Sequence, residues 1–137
     1  MSRPSSAVRL IRSAALTDTA PYAYAATTDA AARLVFTAGA CPLDEAGETV
    51  APGDIAAQAR QCVANLVTAL ESAGATLEDV AYTRVLVATT AREDLVAAWT
   101  FVHDVFGEHE VPSTLHGVTV LGYRDQLVEI EAVAALR

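Results

Sequence analysis

The sequence predicts one α+β domain, a mixed six-stranded sheet with two helices on one face. Three observations carry this expectation. The periodicities run in the order three strands, helix, strand, helix, two strands. Both helical segments are apolar along one stripe only, so each needs a sheet or another helix to cover it. A chain of 137 residues with 53% hydrophobic composition suits a single core, so the domain is expected to span residues 1–137.

The first strands are "AVRLI" (7–11), "YAYAAT" (22–27) and "RLVFTAG" (33–39), all rich in residues that fit a pleated surface. "DEAGE" and "TVAPGD" then supply turn chemistry. From Asp54, a natural helix cap, the residues Ile55, Ala59, Val63, Leu66, Val67 and Leu70 recur at three- and four-residue intervals until Gly74 ends the run. "YTRVLVA" (82–88) reads as a strand, and a second helix follows over 92–106. There Leu95, Ala98, Trp99, Val102, Val105 and Phe106 share one side, and Gly107 is the stop. "TLHGVTVL" (114–121) and "QLVEIEAVA" (126–134) are the last strands, separated by "GYRD". Several strands are apolar at successive positions, as in "VLVA", so the sheet face away from the helices also needs a cover, most simply other subunits.

Charge excludes some partners. A net charge of -8 repels phosphate backbones and anionic headgroups, and no lysine or arginine cluster offers a local exception, so no nucleic-acid partner is expected. The opening stretch "MSRPSSAVRLIRSAAL" is interrupted by Arg9 and Arg12. It contains no signal-peptide core, and no apolar run is long enough to span a bilayer; the expectation is a cytoplasmic protein with no membrane partner. In that compartment Cys41 and Cys62 are expected to stay reduced. His103, His109 and His116 stand in no metal-ligand spacing, and no metal is expected.

The candidate chemistry lies in "LVEIEAVA" (127–134). In a strand Glu129 and Glu131 project to one side while Val128 and Ile130 project to the other. A carboxylate partly desolvated at a subunit interface suits acid/base work on water, whereas the competing reading, kept for Glu131, is a structural ion pair with arginine across that interface. His116 suits a proton shuttle or a histidine satisfied by backbone groups. Trp99 suits a core or cleft wall, or a recognition platform. Cys41, next to Pro42 and close to Gly39, can line the site, but no neighbour in sequence would make it a nucleophile.

In chain order, "APY" (20–22), "FTAGACP" (36–42), "DIAAQARQCVANLVTALESAGATLEDV" (54–80), the Pro112 step and "VEIEAVA" (128–134) resemble successive motifs of the Rid superfamily, the YjgF-like reactive-intermediate deaminases. The resemblance covers nearly the whole chain. It implies a chorismate-mutase-like protomer, a homotrimer with ligand clefts at its subunit interfaces, and cofactor-free hydrolysis of imines or enamines to a carbonyl compound and ammonia. The family signature after the proline is Pro-Ala-Arg-Ser, with the arginine clamping a substrate carboxylate; here it reads Pro112-Ser113-Thr114-Leu115. Thr114 can donate one neutral hydrogen bond but carries no charge. Losing a charge-assisted clamp of about 1.5–3 kcal/mol weakens binding of a small imino acid roughly ten- to a hundredfold.

Residue by residue, the resemblance implies that Tyr22 borders the cleft, that the Gly39 backbone faces the ligand and that Glu129 positions the attacking water. His116 stands where many members have cysteine, and Trp99 where they have asparagine. These departures imply a divergent branch with a larger or flatter, less anionic ligand. Glu129 and His116 are thus the candidate catalytic residues, with Tyr22, Gly39, Thr114 and Trp99 binding a small molecule and no cofactor. The alternative is a catalytically silent trimer that binds or senses a metabolite. Ribonuclease activity, another label in the family, conflicts with the acidic surface.

Overall fold

The computed structural model describes residues 6–137, so residues 1–5 of the opening stretch lie outside it. Its elements are β1 (Val8–Ile11), β2 (Ala25–Thr28), β3 (Arg33–Phe36), α1 (Ile55–Ser72), a 3-10 turn (Leu77–Asp79), β4 (Val80–Ala88), α2 (Arg92–Phe106), β5 (Ser113–Val118) and β6 (Val128–Leu136). The order is that predicted, and α2 has the predicted limits. Asp54 caps α1 by accepting from the Ala57 amide at 3.0 Å. At the other end Gly74, at φ +84°, lets the Gly74 and Ala75 amides turn back onto Glu71 and Leu70.

The strands divide into a four-stranded sheet, β3-β6-β4-β5, and a two-stranded ribbon, β1-β2. β4 and β5 are parallel, joined through α2, and the other ladders are antiparallel. The sequence pattern reports strands but not which strand each pairs with, so the separate ribbon was not legible. The ribbon is fastened near the start of β5 instead. The Ala23 amide donates to the Glu110 carbonyl at 2.7 Å, and Arg12 pairs with the Glu110 carboxylate at 3.0 Å. Residues 22–24, predicted as strand, precede the β2 ladder and leave Tyr22 free to turn elsewhere.

The strand alternation sorts the sheet into two faces. Val85, Val87, Val128 and Ile130 are fully buried toward the helices, against Leu66 and Leu70 of α1 and Val102 of α2. Burying one such side chain contributes about 1.5–3 kcal/mol. The opposite face carries Glu129, Leu86 and His116 in one row across β6, β4 and β5, and Glu131, Arg84 and Thr114 in the next. It is open in the single chain: Phe36 is 72% and Leu34 50% exposed. Among the described residues no helix is long and apolar enough to cross a membrane.

Candidate functional site

Glu129 and Glu131 share a face, as their spacing requires, but their surroundings differ. Glu131 pairs with Arg84 on the adjacent strand at 3.3 Å, a structural ion pair made within the chain and not across an interface. Among the described residues Glu129 has no such cation. The bridge between Ala40 and Ile130 draws the segment after β3 alongside β6 and presses Gly39 onto the Glu129 side chain. A Cβ at position 39 would stand 2.7 Å from the Glu129 Cγ, closer than real Cβ atoms come. Glycine permits this close approach, and any larger residue would force the Glu129 side chain to move.

Two donors meet Glu129 on the same oxygen. The Cys41 thiol donates to Oε1 at 3.2 Å, and the Gln126 side-chain amide donates to Oε1, also at 3.2 Å. Burial pushes the Cys41 thiol up to about 11, helped by its hydrogen bond to the Glu129 carboxylate and by that negative charge. Cys62, buried beneath, is raised as well, chiefly by desolvation. Both cysteines are free thiols.

Helix α1 holds both loops of this cluster. Asn65 donates to the carbonyls of Cys41 and Leu43 at 2.8 and 3.0 Å. Gln58, fully buried, donates to the Asp125 carbonyl at 2.9 Å and accepts from the Leu127 amide at 2.7 Å. The two amides lie seven residues, about two helical turns, apart and so share a side of the helix.

A second feature lies at the free edge of β5. A pocket of about 330 Å³ is lined by Tyr22, Trp99, Ser113, Thr114 and Leu115. Tyr22 meets Trp99 edge to face with ring centroids 6.4 Å apart, and Trp99 stacks on His103 at 6.0 Å. His103 contacts Glu110 at 2.9 Å, and the Glu110 carboxylate is also held by Arg12, which donates to the Ala20 carbonyl at 2.8 Å. This chain of contacts fixes the aromatic walls. Thr114 Oγ1 and the Tyr82 hydroxyl share a hydrogen bond of 2.7 Å, so the pocket floor is polar and neutral. Among the described residues no arginine lines it.

The structure thus brings Tyr22, Trp99 and Thr114 together and places Gly39 against Glu129, as two separate clusters. His116 is exposed on the open face, with Leu86 between it and Glu129 in the register. Two strand spacings, about 10 Å, separate their backbones. The residues that sequence reasoning passed over are Cys41 and Gln126 as partners of Glu129, Gln58 and Asn65 as loop holders, and the line from His103 through Glu110 to Arg12. The available signal was an amide on an apolar stripe, as at Gln58 and Asn65. Among the described residues no three His, Cys, Asp or Glu side chains gather as a metal site.

Comparison with known proteins gives consistent matches along the chain. A family model described as endoribonuclease L-PSP matches residues 12–136. The chain is 32% identical over 118 residues to the 3-aminoacrylate deaminase RutC of Acinetobacter baylyi, covering 84% of this chain and 86% of that protein. It is 34% identical over 104 residues to a RutC family protein of Pyrococcus horikoshii, covering 76% and 80% respectively. Among solved structures, the conserved Rid family protein YyfB of Yersinia pestis matches with a TM-score of 0.87 at 29% identity, over 95% of this chain and 99% of that one. The YjgF gene product of E. coli matches with a TM-score of 0.66 at 30% identity, over 87% and 91%.

Proposed function

The chain belongs to the endoribonuclease L-PSP family, within the Rid or YjgF-like superfamily, and from that premise we propose that it is a cytoplasmic homotrimer hydrolysing a neutral imine or enamine in a cleft between subunits. The observations that support this reading are a held carboxylate, Glu129, and, separate from it in the single chain, an aromatic pocket lined by a threonine. Thr114 and Glu129 are at least two strand spacings, about 10 Å, apart in one chain. A neighbouring copy that lays its Glu129 against the pocket completes the site.

The chemistry needs no cofactor. Water adds to the imine carbon as Glu129 accepts one of its protons and the nitrogen gains one; the carbinolamine nitrogen then takes up a second proton, the hydroxyl gives its proton up, and the C–N bond breaks to release ammonia and the carbonyl product. Tyr22 and Trp99 bind the apolar part of the substrate, and Thr114 and the Gly39 backbone orient its polar end. His116, on the face a neighbour covers, assists the proton transfer.

Ammonia release tests the reading. Imines made in situ from neutral arylalkyl amines by an amine oxidase, and 2-imino acids made by an amino-acid oxidase, are compared with and without protein. The neutral imines are expected to be preferred, and Glu129→Gln to lower turnover by about a hundredfold or more. The missing arginine favours a second reading, a silent metabolite-binding trimer. Ligand-induced thermal stabilisation with no ammonia release would establish that reading instead. The family's ribonuclease label fits poorly with a net charge of -8. RNA cleavage that survives stringent repurification would overturn this objection.

A further inference from the structure

We infer that Cys41 and Gln126 are positioning residues that together hold Oε1 of Glu129 and leave Oε2 as the one oxygen presented to water or ligand, an inference that rests on the role of Glu129 proposed above. A carboxylate offers two equivalent oxygens and about four lone-pair sites. Left unheld, it rotates and presents either oxygen. Here both side-chain donors converge on Oε1 from different loops, while Oε2 lies beside Gly39, whose backbone is proposed to orient the ligand.

The Gln126 amide has one workable orientation. Its Oε1 accepts from the Tyr123 backbone N–H at 3.1 Å, so its Nε2 must face Glu129, where it also donates to the Val128 carbonyl at 3.0 Å. The backbone of Cys41 is fixed by Asn65. A thiol is a weak donor, so it orients the carboxylate without greatly neutralising it. Held up at about 11, it also remains protonated, and thus a donor, throughout the neutral range. Neither residue touches the aromatic pocket, so the expected effect falls on the reaction step and not on substrate affinity.

Infrared spectroscopy of the S–H stretch reads the contact without any substrate. Cys41→Ala identifies the band, since only Cys62 remains as a second thiol. The wild-type Cys41 band is expected at the low frequency of a hydrogen-bonded thiol and moves up in Glu129→Gln, whose neutral amide accepts more weakly. A band that ignores Glu129→Gln overturns the inference. In the imine assay, Cys41→Ala and Gln126→Met are each expected to lower kcat about fivefold at unchanged KM, with Cys41→Ser restoring it by keeping a donor. Turnover lost in Glu129→Gln but normal in Cys41→Ala overturns the inference while sparing the proposed function. Turnover that survives Glu129→Gln overturns the proposed function, and the S–H band then decides whether Oε1 is held. Cys41 is only partly buried, so Cys41→Ala provides a folded variant even where Gln126→Met is destabilised.

Discussion

Gly39 and Glu129 meet so closely that substitution at one is a perturbation of the other. Gly39→Ala is expected to displace the Glu129 side chain, costing about 1–3 kcal/mol in urea unfolding and lowering turnover nearly as far as Glu129→Gln does. An alanine variant with normal turnover would show that the contact has no bearing on the reaction. Thr114→Arg probes the other cluster: it is expected to raise kcat/KM on small 2-imino acids roughly ten- to a hundredfold, by supplying a cation to the neutral pocket floor. At this scale the sequence revealed direction but not company. The two-residue spacing placed Glu129 and Glu131 on one face, yet the Cys41 thiol is 88 residues away along the chain and no local pattern announces it.

α1 and α2 were legible because a 3.6-residue stripe repeats over many turns and ends at a capping residue or a glycine. What those helices hold was not legible, since the amides of Gln58 and Asn65 interrupt the stripe without naming the loops they serve. The segment carrying Tyr22 is fastened in a comparable way, through Glu110 to Arg12 and His103. The hydrogen bond from His103, with the Arg12 charge in addition, holds the Glu110 carboxyl below the usual carboxylate range. A lowered carboxyl adds stability in full above its unfolded value, near about 4.3, and loses it as the pH falls through the folded value. Wild-type melting temperature is therefore expected to fall more steeply than that of Glu110→Gln between about pH 5 and pH 3. Parallel curves would show that the contact contributes nothing to the fold; solvent screening at this half-exposed site keeps the difference small.

For the molecule as a whole, doubly apolar strands implied a second covered sheet face, and in one chain that face stands open with Phe36 at its edge. On the trimeric site proposed above, Phe36→Glu is expected to shift sedimentation from three chains to one and to abolish ammonia release, by separating Glu129 from the neighbour's aromatic pocket. A variant that stays trimeric and active would place the interface elsewhere. The α+β architecture was readable because layers follow from periodicity and amphipathic faces. The division into a sheet and a ribbon was not, because strand pairing is decided by contacts such as Ala23 with Glu110, far apart in sequence.

The two amides of α1 have one more consequence. The loop bearing Cys41 and the turn leading to Gln126 hang from a common rod, so any displacement of that rod acts on both holders of Glu129 together. Glu129 itself rides on β6, so the aim of its carboxylate depends on helix and strand keeping their register against each other.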